Sequence, residues 1–168
     1  MKNKRLTVLL IVAAAAVLVG IVGFFVVRGV RSDNAKKEGD RRRAEIKVSF
    51  SEHIDTYNEA FVLSSASPYK GSEYCVILTE SDPQTKIDYT SKPVGDEELE
   101  TQLKEFARKT GIDVIYATED SVCYKVFFES NENERSEANF IRFFDAPADP
   151  SALTPLQDGW YYSERVLA

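Results

Sequence analysis

The sequence predicts an α+β fold: an N-terminal transmembrane helix, then an amphipathic helix and a largely antiparallel sheet of about five to six strands with a second helix. Three observations predict it. Leu6–Val27 runs 22 residues without a charge. Two later segments repeat apolar side chains at spacings of three and four, the period of a helix face. Several short segments alternate apolar and polar residues, and they follow one another without helices between them, which argues against βαβ units.

The uncharged run has Thr7 as its only polar side chain. As a helix rising about 1.5 Å per residue it reaches roughly 33 Å, enough for a hydrocarbon core of about 30 Å. Lys2, Lys4 and Arg5 precede it, so a cleaved secretory signal is the rival reading. Signal cores are about 7–15 residues long and end in a small-x-small site. This run is longer and ends Phe24-Phe25-Val26-Val27-Arg28. An uncleaved, single-pass anchor in the cell membrane is expected, with the lipid bilayer as its first partner. Within it Ala13, Ala16, Gly20 and Gly23 share one helical face, a spacing through which membrane helices self-associate.

Charge divides the chain into a basic tail (1–5), the anchor (6–27), a basic juxtamembrane linker or frayed helix (28–43) and an acidic α+β domain (44–168). Residues 1–43 carry ten basic and three acidic side chains, and residues 44–168 carry eleven and 24, giving +7 and −13. Seven of the basic residues closely follow the anchor, which by the positive-inside rule points the body to the cytoplasm. Exporting a five-residue tail with three positive charges is costly, however, and an extracytoplasmic body is the expectation. The basic stretch would then face anionic headgroups or wall polymers.

In the body, Ile46, Phe50, Ile54, Tyr57 and Phe61 form one helical stripe, which should end near Ser64-Ser65-Ala66-Ser67 because Pro68 disfavours helical geometry before it. Tyr74–Thr79 reads as a strand, Ser81–Gln84 as a turn and Lys86–Thr90 as a second strand. The next helix has an N-cap at Asp96, acids at Glu97, Glu98 and Glu100, an apolar face of Leu99, Leu103, Phe106 and Thr110, bases at Arg108 and Lys109, and a terminating Gly111. Strands are predicted at Ile112–Thr118, Val122–Glu129, Phe140–Asp145 and Gly159–Glu164. Ser130–Glu137 reads as a polar hairpin tip, and Pro147, Pro150 and Pro155 punctuate an extended connection. The strand from Val122 has one apolar face (Val122, Tyr124, Val126, Phe128) and one mixed face. Either the second sheet face is edged with aromatics, or it docks a partner with Trp160, Tyr161 and Tyr162 as anchors.

Composition excludes several chemistries. One histidine rules out multi-histidine zinc sites, and two cysteines rule out four-cysteine clusters. A net charge of −6 is not that of a nucleic-acid binder. There is no GxSxG and no phosphate-cradling glycine loop. His53 lies off the helix stripe and reads as solvated; Asp96-Glu97-Glu98 reads as a helix start. Asp145 and Asp149 lack a calcium-loop pattern. No catalytic residue, cofactor or metal site is therefore assigned. Cys75 and Cys123 fall in predicted strands and would close a long loop if the body is exported and the strands are neighbours; otherwise they are two buried thiols.

Two resemblances carry alternatives. Glu98–Val114 resembles the helix-then-strand element of the TPM-domain family through Leu99, Leu103, Phe106, Thr110, Gly111, Ile112 and Val114, which implies a membrane-tethered hydrolase; the chain continues into a strand where that family continues into a helix. The order of apolar helix, amphipathic helix and sheet resembles type IV pilins and pseudopilins, which implies a structural subunit; the processing glycine and the acid of the pilin span are missing. The leading expectation is a membrane-anchored, non-enzymatic module of the envelope that binds a protein partner or self-associates through its transmembrane helix.

Overall fold

The structure is a computed structural model. It describes the backbone of residues 2–66, 69–78, 92–131, 134–147 and 149–167, and the side chains of these except residues 2–23 and 25–27. The predicted turn at 81–84 and strand at 86–90 lie outside the described residues.

The first helix, α1 (Lys2–Glu52), is 51 residues long. It takes in the segment read as a linker or frayed helix, so residues 28–43 are helical throughout. Ion pairs three and four residues apart support this exposed stretch: Arg41 joins Glu38 and Glu45, and Arg43 contacts Asp40 at 2.6 Å. Among the described residues no helix is long and apolar enough to cross a membrane. The run Leu6–Val27 lies almost wholly where only the backbone is described.

The helical stripe from residue 44 predicts one amphipathic helix; the chain instead breaks at His53 (φ −111°, ψ 17°) and resumes as α2 (Ile54–Ser65). The His53 N–H is shared between the carbonyls of Ser49 (3.1 Å) and Phe50 (3.2 Å). This tightened turn re-aims the stripe without ending it. Ile46, Phe50, Tyr57 and Ala60 are all buried on one side, and Ile54 and Phe61 pack against them.

The next described helix, α3 (Glu97–Thr110), forms as its sequence dictates. Asp96 Oδ1 accepts from the N–H groups of Glu98 (2.9 Å) and Leu99 (3.0 Å), and Gly111 takes the left-handed conformation at φ 73°. Leu99, Leu103, Phe106, Ala107 and Thr110 face the core.

Among the described residues six strands form one sheet: β1 (Tyr74–Ile77), β2 (Val114–Ala117), β3 (Ser121–Asn131), β4 (Glu134–Phe143), β5 (Thr154–Pro155) and β6 (Trp160–Leu167). Their order is β1-β2-β3-β4-β6-β5 and each pairing is antiparallel. The predicted hairpin tip at 130–137 is corrected. β4 begins at Glu134, and Ser136 and Glu137 are buried. A short strand at Thr154–Pro155, within the stretch expected to be only an extended connection, edges the sheet.

The three described helices lie on one face of this sheet. Val122, Tyr124, Val126 and Phe128 from β3 meet Ala138 and Phe140 from β4 and Trp160 and Tyr162 from β6 in a single core. Phe50 stacks on Phe140 with ring centroids 4.4 Å apart, and Tyr57 packs edge-on against Phe106, Tyr124 and Trp160. Burial of large aromatic side chains on this scale is the dominant favourable contribution to a domain of this size.

Candidate functional site

Among the described residues the opposite face of the sheet mixes charged, polar and aromatic side chains. Cross-strand register places Cys75, Tyr116, Cys123, Ile141 and Tyr161 in one row across β1, β2, β3, β4 and β6. The next rows hold Lys125 opposite Asn139 and Phe127 opposite Glu137. Lys125 Nζ donates to Glu137 Oε1 (3.1 Å) and to Asn139 Oδ1 (2.9 Å). Arg165 donates to Glu137 Oε2 at 3.2 Å, and the Cys123 thiol reaches Asn139 Oδ1 at 3.4 Å. The Glu137 side chain is 3% exposed, that of Lys125 12% and that of Arg165 58%. A charge as buried as Glu137 survives only when paired and hydrogen-bonded, and here both its oxygens are engaged. Among the described residues these donors and acceptors pair with one another. Asp113, just before β2, fixes the strand backbone by accepting from the Phe127 N–H at 2.8 Å.

The anticipated aromatic anchors are divided by strand alternation. Trp160 is fully buried and Tyr162 is 5% exposed, both on the helix-covered face. Assigning them to partner binding is corrected; only Tyr161 lies on the opposite face, edge-on to Phe143 with centroids 5.7 Å apart. Trp160 Nε1 donates to Asn58 Oδ1 (2.9 Å), which also accepts from Arg142. The Arg142 guanidinium lies 4.5 Å from the centre of the Phe61 ring. These contacts hold α2 on the sheet.

Cys75 and Cys123 both sit opposite Tyr116 of β2, one on each side, and do not bond to each other. Two strand spacings put their backbones roughly 9–10 Å apart, beyond the reach of a disulfide. Burial pushes each thiol up to about 11, against the pull of the Lys125 charge.

The remaining candidates are structural. His53 Nδ1 hydrogen-bonds the Ser49 carbonyl at 2.9 Å at the helix break. Asp96 caps α3 and accepts from the Tyr69 hydroxyl. Asp149 accepts from the Ser151 N–H at 2.9 Å in a local turn. Among the described residues no group of three or more histidine, cysteine or acidic side chains is placed to hold a metal ion. Ala13, Ala16, Gly20 and Gly23 lie on α1 where only the backbone is described.

Several concavities flank the helices, among them two beside the core. A cavity of about 160 Å³ lies under α1 among Ile46, Ser49, Tyr57, Thr110, Val126 and Phe140. A shallow groove of about 430 Å³ between α2 and α3 has Ala60, Leu63 and Phe106 for walls and Glu59, Glu105 and Lys109 on its rim. Neither brings together a nucleophile and a base.

What sequence reasoning misses is how α1 joins the sheet. Gly39 is buried against the backbone of Ser130 in β3. One turn on, Arg43 makes a two-pronged ion pair with Glu164 of β6, Nε to Oε2 and a terminal nitrogen to Oε1, each at 2.7 Å. Lys47 lies 4.2 Å from the centre of the Tyr162 ring. The signal is present: Gly39, Arg43, Ile46 and Phe50 continue the helical stripe upstream at spacings of four, three and four, but only the last two are apolar.

No family model, no curated protein and no solved structure matches this chain.

Proposed function

We propose that this chain is a membrane-anchored, non-enzymatic interaction module, with α1 serving both as anchor and as a stiff strut that holds the acidic domain at a set height above the bilayer. One observation carries the reading: α1 has no break between the apolar run and the turns locked into the sheet. A flexible linker would let the domain sample many orientations. A continuous helix whose Gly39 and Arg43 are seated on β3 and β6 couples the domain's orientation to that of the anchor. From Val27 to Gly39 the strut measures about 18 Å at the helical rise. We place the domain outside the cytoplasm, with the sheet face that carries Tyr161 toward a protein partner. The interlocked pairing of Lys125, Glu137, Asn139 and Arg165 supports recognition over catalysis, because no base or nucleophile there is left poised.

Two measurements test this. The full chain should stay with membranes through alkaline carbonate washing; release into the wash ends the anchor reading. Ser151→Cys, at an exposed position, should react with a membrane-impermeant maleimide on intact cells; labelling only after lysis places the domain in the cytoplasm.

A further inference from the structure

The charges of α1 are sorted along its length. Between residues 28 and 37, Arg28, Arg31, Lys36 and Lys37 stand against one acid, Asp33, for a net charge of +3. Between residues 38 and 45, three bases meet three acids and the net charge is zero. The structure turns that count into pairs: Arg41 with Glu38 and Glu45, Arg42 with Glu45 at 3.5 Å, and Arg43 with Asp40 and Glu164. Arg28, Lys36 and Lys37 are exposed side chains on the helix surface ahead of these pairs.

We propose that Arg28, Arg31, Lys36 and Lys37 form a collar that binds the headgroups of anionic lipids, and that the neutral segment above it marks where lipid contact stops. The proposal rests on the anchor reading above. Height decides it. With Val27 at the edge of the hydrocarbon core, Arg28 and Arg31 rise about 2–6 Å above it and Lys36 and Lys37 about 14–15 Å. Headgroups extend roughly 5–8 Å beyond the core, and their potential falls off over a Debye length of about 8 Å. The collar therefore lies inside the lipid's field, and its long side chains reach down toward it. Arg41, Arg42 and Arg43 stand at about 21–24 Å, outside that field, where each is held by carboxylates of its own chain.

The test uses the full chain reconstituted in phosphatidylcholine bilayers containing a minority of phosphatidylglycerol. The reading is the preference of the protein boundary for spin-labelled phosphatidylglycerol over spin-labelled phosphatidylcholine, at low and high salt. The native chain should show a salt-sensitive preference for phosphatidylglycerol. Arg28→Gln/Lys36→Gln/Lys37→Gln should lose roughly fivefold or more of that preference, since each base near a charged surface contributes about that factor. Arg41→Gln/Arg42→Gln should change it less than about twofold, in keeping with screening at that height. Equal losses in the two variants, or no preference in the native chain, would overturn the collar. So would a chain indifferent to lipid charge that retains added polyphosphate through the same three residues, which would assign them to a soluble polyanion. Carbonate retention measured on the same vesicles reads the anchor independently of headgroup charge. Washout sinks the anchor reading, whereas retention without lipid preference sinks the collar alone.

Discussion

Gly39 of α1 touches the backbone of Ser130 in β3 so closely that a Cβ built on the glycine would lie 2.0 Å from the Ser130 carbonyl oxygen and 2.9 Å from its Cα. Backbone cannot move aside as a flexible side chain can. Gly39→Ala should therefore cost about 1–3 kcal/mol from overpacking, although alanine gains up to about 1 kcal/mol in helix propensity. A Cβ placed on Gly29 would meet nothing within 4 Å, and Gly29→Ala should keep that propensity gain. Denaturant titration of both variants decides the matter. If Gly39→Ala is the more stable of the two, α1 does not seat on β3.

Arg43 and Glu164 set a pH dependence. The hydrogen bond from Arg43 is the first cause holding the Glu164 carboxyl below its usual range, opposed by desolvation. A depressed folded-state value means the stabilisation is present above the unfolded value, about 4.3, and is lost as pH falls through the lower folded value. The stability gap between the native chain and Glu164→Gln should be constant near neutrality and shrink as the medium is acidified below about pH 4. A gap that persists unchanged into stronger acid would show that the carboxylate's charge is not what Arg43 holds.

Trp160 and Tyr161 are adjacent in sequence and opposite in role. Trp160→Ala should cost about 3–5 kcal/mol, because its ring contacts Phe50, Tyr57, Phe61 and Tyr124 in the core. Tyr161→Ala, on the opposite face, should cost well under half of that. The native chain's single tryptophan should emit at short wavelength and resist acrylamide quenching. Ready quenching in the folded protein would contradict its burial.

The thiols should be slow. With both raised to about 11 by burial, Cys75 and Cys123 should react with a disulfide reagent at pH 8 only on the timescale of unfolding, and the intact mass should be the same with and without reductant. A product two hydrogens lighter without reductant would require β1 and β3 to sit closer than β2 allows.

Tyr124 buries its hydroxyl beneath α2 without a well-formed hydrogen bond, as does Tyr74. Removing an unsatisfied buried hydroxyl while keeping the ring should be neutral or stabilising by up to about 1 kcal/mol. A melt of Tyr124→Phe several degrees below the native chain would reveal a partner for that hydroxyl.

The parts legible in the sequence are those set by near neighbours. Asp96, Leu99 and Gly111 specify α3 because capping, stripe and left-handed turn lie within one segment. The alternation from Val122 to Phe128 marks the core face of β3 for the same reason. The segment 130–137 misleads because its polarity describes Glu137 without Lys125 and Arg165, twelve and 28 residues away, which make its burial tolerable. Adjacency groups Trp160 and Tyr162 with Tyr161, although the period of a strand separates them from it and joins the outer two. The docking of α1 stays hidden because a glycine and an arginine contribute to the stripe what only a facing sheet can reveal.

Arg43 and Glu164 are 121 residues apart, near opposite ends of the body. The hairpins of β2, β3 and β4 close over short loops and need little beyond themselves, but the underside of α1, although it meets β3 and β4 first, is not fully covered until the last strand supplies Trp160 and Glu164. During synthesis, Phe50 and Tyr57 wait for Trp160 while nearly the whole body is made. A product cut short before that strand therefore displays its aromatic side chains to solvent, ready for proteolysis. The fold thus carries its own check on completeness, read by whatever degrades exposed apolar surface.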